Sequence, residues 1–403
     1  MIALPTPIRP TVAEVDLRQL AANLRCVRQA IGSRVGMLAV IKADAYGHGA
    51  IAVARLVEGL GVWGLGVATV EEGVQLREAG VRTRVLVMGA SFGRDHAEVI
   101  GRELIPMVGD PGDVEAFAVA ARAAGRTRFG VHVKVDTGMS RLGVGEGRFD
   151  AFLRRCAEHP SIRVDGLATH FACAEEQDLS ATAAQLATFV RCLERARAMG
   201  ADPQTIHAAN TAAALRLPAA RFDLVRIGLG LYGALPSAHV PDPGVRPALS
   251  WTTRINALRD LPAGTPVSYG ATFVTTRPSR IATLPVGYAD GYARRLSNRA
   301  EVLLPGAAGG PRRVPVVGRV CMDLCMIDVT EVEGVAVGDA AVLLGGKGKL
   351  SVAPEQLAAW GETISYEVLT SISKRVPRAY PGLADAELRQ ATGQAHPAVV
   401  ALR

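Results

Sequence analysis

The sequence predicts an α/β TIM barrel, (β/α)8, over its first 244 residues, followed by a mainly β domain over residues 245–403. Two observations predict this. Eight short apolar runs alternate with amphipathic stretches up to about Gly233, and beyond that point the composition turns to Pro, Gly and short strand-like pieces. Apolar strands alternating with helices are the signature of parallel βα units, and strands covered on both faces read as continuous apolar runs.

The eight runs are LAVI (38–41), GLGVAT (64–69), RVLVMG (84–89), LIPMV (104–108), RFGVHVKVD (128–136), VDGLATHF (164–171), QTIHAA (204–209) and DLVRIG (223–228). Helical patterns separate most of them, such as VEEGVQLREAG (70–80), DVEAFAVAARAAG (113–125) and ATAAQLATFVRCLERARAMG (181–200). A doubly wound open sheet fits less well, because no GxGxxG follows the first strand. The later segments WTTRINALRDL, IATLPVG, EVLLPG, RRVPVVGRV, CMIDVT and AAVLLGG read as strands, and helical character returns in APEQLAAWG and in ISYEVLTSISKRV (364–376). Residues 11–17, TVAEVDL, are expected to pair with the second domain.

At 49% hydrophobic and 21% charged the chain is ordinary globular material, and 403 residues suffice for a large core. The net charge of +7 is scattered, mostly as arginine, without the blocks of like charge that mark nucleic-acid tails. Six cysteines form neither CxxC pairs nor a disulfide framework, so they read as reduced thiols of a cytoplasmic protein, and no metal site is expected. The N-terminus lacks the apolar core of a signal peptide, and no run approaches the roughly 18 apolar residues of a membrane span.

Polar residues break the apolar strands at their C-terminal ends, where barrel chemistry sits. Lys42 follows the first strand. Asp136 and Arg141 follow the fifth, His170 ends the sixth, Asn210 and Thr211 follow the seventh, and Arg226, Gly228 and Leu229 belong to the eighth. Singly each has an ordinary explanation. Lys42 could pair with Asp44, His170 and His207 could be satisfied core histidines, and Asn210 could be a helix cap. Their shared location favours a site. Small residues in HAANTAAAL and RIGLGLYG let an anion approach backbone amides, and a Schiff-base lysine beside a phosphate cradle points to pyridoxal 5'-phosphate.

With these motifs in hand, the chain resembles the alanine racemase family. AVIKADAYGHG, HVKVDTGMSRLG, THFACAEE, HAANTAAAL, VRIGLGLYG, VSYGATF, LPVGYADGY, VGRVCMDLCMIDVT and ISYEV occur in family order over nearly the whole chain. The resemblance implies a homodimeric, pyridoxal-phosphate-dependent isomerase that interconverts L- and D-alanine by two bases and supplies D-alanine for peptidoglycan. It implies that Lys42 carries the cofactor and is one base, and that Tyr269 from the neighbouring subunit is the other, helped by cationic groups among which it places His170. It implies that Arg226 meets the pyridine nitrogen with His207 behind it, and that Tyr46, Thr211, Gly228, Leu229 and Tyr366 hold the phosphate. It further implies that Arg141, together with the Met322 backbone from the neighbouring subunit, takes the substrate carboxylate, that Lys134, carbamylated in many members, supports Arg141, and that Tyr288, Arg319 and Asp323 line the way in.

Rival readings are a barrel-type amino-acid decarboxylase, a non-catalytic pyridoxal-phosphate-binding protein, and a broader amino-acid or serine racemase. Arg226 argues against the first, since decarboxylases place a carboxylate at the pyridine nitrogen. The second domain argues against the non-catalytic protein. The absence of a secretory signal argues against a periplasmic broad-specificity enzyme.

Overall fold

The computed structural model describes residues 8–93, 95–346 and 348–381. The outermost parts of both expected domains, residues 1–7 and 382–403, lie outside the described residues, as does the first part of the segment on which the signal-peptide reading rests.

Eight parallel strands form the barrel: Gly36–Val40, Gly64–Val67, Val85–Val87, Ile105–Val108, Phe129–Asp136, Ile162–Ala168, Thr205–His207 and Leu224–Ile227. Each of the eight apolar runs contains or overlaps one of them. Consecutive strands pair in parallel from the first to the seventh, and the eighth pairs with the first. The seventh and eighth are joined by isolated bonds instead of a ladder. Asp223 N donates to Ile206 O at 3.1 Å, Ile206 N donates to the Asp223 carboxylate at 2.8 Å, and Arg226 N donates to Ala209 O at 2.9 Å. The short strand Val144–Gly145 pairs in parallel with the end of the fifth strand, at Val135 and Asp136.

Helices Ala50–Glu58, Val70–Glu78, Asp95–Gly101, Pro111–Ala123, Phe149–Ala157, Ser180–Ala198 and Thr211–Arg216 follow the first seven strands. The eighth outer position is filled by the N-terminal helix Leu17–Ile31, which packs on Ala50–Glu58, Thr211–Arg216 and the short helix Leu229–Tyr232. Asp16 caps it through bonds from Arg18 N and Gln19 N, and Gly32 at φ +90° ends it. Its buried Leu17, Leu20, Leu24, Val27 and Ile31 recur at helical spacing, so one face drives its docking.

The second region is built on a six-stranded mixed sheet. Its order is Arg312–Pro315, Glu301–Leu304, Ala340–Leu344, Leu249–Arg254, Val12–Val15, Arg378–Ala379. Val12–Val15 thus lies antiparallel to Leu249–Arg254 before the chain enters the barrel. A three-stranded sheet (Ala257–Leu261, Ser279–Leu284, Cys325–Asp328) and a two-stranded one (Pro266–Val267, Phe273–Val274) complete it.

The helical stretch expected over 364–376 is shorter than its pattern. The helix is Ser365–Ser371, and the chain turns extended at Ile372 (φ −59°, ψ 106°). The Arg378 guanidinium is the reason. It donates to the carbonyls of Ile372 at 2.6 Å and of Ser373 and Val376 at 2.7 Å, replacing the bonds that further helix would make. Its Nε donates to Gly47 O at 2.8 Å, which ties this region to the loop after the first barrel strand.

At the barrel exit, Gly233 has φ +84°, and a Cβ there would fall 1.7 Å from Arg246 O. Gly233→Ala should therefore cost well over the ~1 kcal/mol of an ordinary left-handed glycine replacement. Urea unfolding is expected to show a lowered midpoint.

Candidate active site

The C-terminal mouth of the barrel gathers most of the expected residues. Lys42 stands immediately after the first strand, half-buried. The four residues that follow, Ala43 to Tyr46, all have φ between 51° and 54°, forming one left-handed helical turn. Such a turn costs roughly 1–2 kcal/mol per non-glycine residue, so its surroundings must hold it. Glu72 does part of this. Its carboxylate accepts from Ala43 N at 2.6 Å and from Ala68 N at 2.7 Å, while completing a capping box with Thr69. Asp44 faces away from an ion pair with Lys42 and accepts from Ala50 N at 2.7 Å. The glycines of AYGHG admit the second region. A Cβ on Gly47 would sit 2.3 Å from Leu369 O, and one on Gly49 would sit 1.9 Å from the Tyr380 hydroxyl. Glu72 had no role assigned from sequence, although the T-x-x-E spacing of Thr69 and Glu72 is a capping signal.

Arg226 is buried in the eighth strand. Its Nη1 donates to His207 Nδ1 at 2.9 Å and to His207 O at 3.0 Å. Its Nη2 donates to Thr169 O at 2.8 Å, Ala208 O at 2.9 Å and His170 Nδ1 at 3.0 Å. All these acceptors are neutral. Burial pushes the guanidinium down to about 10, which leaves it charged at neutral pH. Among the described residues, Nε–H has no acceptor.

Because guanidinium groups only donate, His170 and His207 must each present an unprotonated Nδ1. Burial first, and then Arg226, hold both rings well below the usual histidine range. His170 is therefore a neutral imidazole with its proton on Nε2, not the cationic helper of Tyr269 that the resemblance implies. His207 passes its Nε2 proton toward His132 Nδ1 at 2.9 Å. His132 lies within HVKVD, where nothing local in the sequence links it to a residue 75 positions away.

Burial and Arg141 lower the Lys42 ammonium, while Glu72 opposes them. Burial, Arg141 and Arg226 bring Lys134 down to about 8, against the opposing pull of Asp136. Lys42, Lys134, Arg141 and Arg226 thus share one field, and among the described residues none makes an ion pair with a carboxylate. This mouth is arranged for an anion.

Thr211 opens the short helix Thr211–Arg216, which Asn210 caps by accepting from Ala213 N at 3.0 Å. The Asn210 side-chain oxygen is thereby committed to the helix. Thr211 Oγ1 accepts from Gly228 N at 3.1 Å, joining the loops of strands seven and eight, and Leu229 begins the next helix. Beside them the Tyr46 ring stacks on Tyr232 at 4.8 Å and lies 5.9 Å from Tyr366. Neither the Tyr46 nor the Tyr366 hydroxyl has a protein partner among the described residues. A Cβ on Gly228 would lie 2.7 Å from the Tyr46 hydroxyl, so glycine keeps this pocket open. Phenols without partners, a helix N-terminus and uncompensated cations fit the phosphate and pyridine of pyridoxal phosphate.

Tyr269, Tyr288, Arg319, Met322 and Asp323 form a second group in loops of the mainly β region. Tyr269 lies in a tight turn between Ser268 (φ +66°) and Gly270 (φ +71°) and is 74% exposed. Ser268 donates to Arg319 O at 2.7 Å. Tyr288 N and Ala289 N donate to Cys321 O and Met322 O, each at 3.0 Å, and Asp323 accepts from Arg375 at 2.7 Å. Fully buried Asp290, bound to Arg9 at 2.6 Å, anchors this loop. Among the described residues, no hydrogen bond or ion pair connects the second group to Lys42 or Arg226.

Fold and site define a two-domain enzyme of the class that works on amino acids with a lysine at a barrel mouth. The chain belongs to the alanine racemase family. Residues 15–236 match the family model for the alanine racemase N-terminal domain, and residues 248–380 match that for the C-terminal domain. An alanine racemase of Sorangium cellulosum is 45% identical, the match covering 93% of this chain and 99% of that one. One of Halothermothrix orenii is 43% identical, with 92% and 97% covered. Among solved structures, alanine racemase from D-cycloserine-producing Streptomyces lavendulae superposes with a TM-score of 0.88 at 36% identity, covering 94% of this chain and 99% of that one. Alanine racemase from Bacillus anthracis with bound L-Ala-P gives 0.86 at 34% identity, covering 93% and 95%.

Gly228→Ala should close the pocket beside Tyr46. The purified variant is expected to lose bound cofactor at least ten-fold more readily than the parent, read from cofactor absorbance during dialysis.

Proposed function

We propose that this protein interconverts L- and D-alanine with pyridoxal 5'-phosphate as cofactor. The observation that carries the reading is Arg226. A guanidinium held by neutral acceptors, with only Nε–H to spare, suits an unprotonated pyridine nitrogen and a restrained electron sink. A decarboxylase would call for a carboxylate there.

Pyridoxal phosphate, when bound, supplies the conjugated acceptor that acidifies the substrate α-proton. Lys42 would hold it, with Tyr46, Thr211, Gly228, Leu229 and Tyr366 around its phosphate. Arg226 would donate from Nε and keep its proton, because arginine does not give one up readily. Lys42 Nζ, its ammonium destabilised by burial and by Arg141, exchanges a proton at one face of the substrate α-carbon. Arg141 takes the substrate carboxylate, together with the Met322 backbone of a second copy. With its amine lowered to about 8, Lys134 is more often neutral; that amine would add to carbon dioxide and release one proton to solvent, giving a carbamate that turns a repulsive neighbour of Arg141 into an anionic support.

The opposite face needs a second base, for which Tyr269 is the candidate. The high exposure of Tyr269, with Met322 at 53% and Tyr288 at 42%, supports a homodimer in which each copy presents this group to the other's barrel mouth. His170, neutral with its proton on Nε2, then serves as a hydrogen-bond donor toward the tyrosine oxygen. The family supports a cytoplasmic enzyme supplying D-alanine to the cell wall.

Incubation with L-alanine should give an equal mixture of enantiomers, followed by loss of optical rotation. Lys42→Ala should lower the rate by at least 10³-fold. A stable optical signal with cofactor-loaded protein would refute racemisation.

Lys42→Ala and Tyr269→Ala proteins, unfolded together and refolded, should regain roughly a quarter of parental activity. Random mixing makes about half the dimers mixed, each with one intact site. No recovery in a sample shown to contain mixed dimers would remove Tyr269 from the partner's site.

A further inference from the structure

We infer that the cavity at the opposite, N-terminal mouth of the barrel binds a small polyanion and is coupled to the active site through His132. This cavity measures about 1020 Å³ and is bordered by the residues that begin the barrel strands, from Trp63 and Arg84 to Phe129, Ile162 and Thr205. That is the size of a small-molecule site, at the end of the barrel away from Lys42.

Its charge is unbalanced. Five arginines line it against three carboxylates. Each carboxylate already has a partner: Glu103 binds Arg126 at 2.8 Å, Asp165 binds Arg163, and Asp202 accepts from Gln204 at 2.8 Å. Arg84, Arg128 and Arg154 have no carboxylate partner among the described residues. Arg84 lies over the Trp63 ring, 5.2 Å from its centroid, and is thereby held at the cavity. A ligand with two or more negative charges, a phosphorylated metabolite or a di- or tricarboxylate, meets these three donors best.

His132 connects the two mouths. It lines this cavity, with its ring 5.9 Å from Trp63. Its Nδ1 accepts from His207 Nε2, and His207 Nδ1 accepts from Arg226. Gly166 makes room for the ring, since a Cβ there would lie 2.5 Å from His132 Nδ1. The tautomers are fixed along the chain, which places the His132 proton on Nε2. An anion accepting that proton would make each acceptor behind it stronger, because bonds in such a chain polarise one another. Arg226 would be drawn toward His207 and would donate less well from Nε. The binding half stands whatever the other mouth catalyses. The coupling half rests on Arg226 facing the cofactor as proposed above.

The test uses holoenzyme titrated with inorganic pyrophosphate and, separately, citrate, against potassium chloride at matched ionic strength. Calorimetry should show saturable binding at one site per chain, and Trp63 should report it by fluorescence, with Trp63→Phe abolishing the change. Racemisation kcat should fall about five-fold at saturation, the low end of ordinary couplings, with KM for alanine unchanged. Arg84→Met/Arg128→Met, both at exposed positions, should lose binding and inhibition while keeping basal activity. His132→Asn, or His132→Gln if the first does not fold, should keep binding and lose the inhibition. Heats no greater than those of potassium chloride, or binding unaltered in the arginine variant, would overturn the site. Binding without a change in kcat, or inhibition that persists in the His132 variant or raises KM instead, would overturn the coupling.

Discussion

The site depends on one buried cation. Arg226 sits in a barrel interior with no carboxylate partner among the described residues, held by backbone carbonyls and two imidazoles. A buried charge without a counter-ion is costly, and neutral acceptors compensate only part of that cost. The same cation dictates the chemistry around it. It fixes the tautomers of His170 and His207, adds to the burial that keeps both neutral, and adds to the field that, with burial, lowers Lys134.

A second constraint is the left-handed turn after Lys42. Four consecutive non-glycine residues at positive φ do not persist by themselves. Glu72 holds the start of the turn from the second βα unit, and Arg378 and Tyr380 hold its end from the other region, through Gly47 O at 2.8 Å and His48 O at 3.1 Å. The position of the lysine is therefore set jointly by both regions.

Much of this was legible in the sequence. The eight strands were readable because burial on both faces leaves uninterrupted apolar runs, and Lys42, His170 and Arg226 were readable because they interrupt those runs. Gly233 marked the change of composition where the chain leaves the barrel. Tyr269, Met322 and Tyr366 stood out only through resemblance, since nothing in their own surroundings distinguishes a tyrosine that meets a cofactor or substrate from one that packs.

The sequence by itself determined the fold class, the end of the barrel where the polar strand-end residues gather and most residues found there, because strand burial and residue type are local properties. Only the tertiary structure decided how those residues behave. The neutrality of His170, the part of His132, the support from Glu72 and the early end of the helix at Ser371 all arise from partners distant in the chain or on another element. Hydrogen-bond direction and electrostatic field depend on distance in space, and a sequence records only distance along the chain.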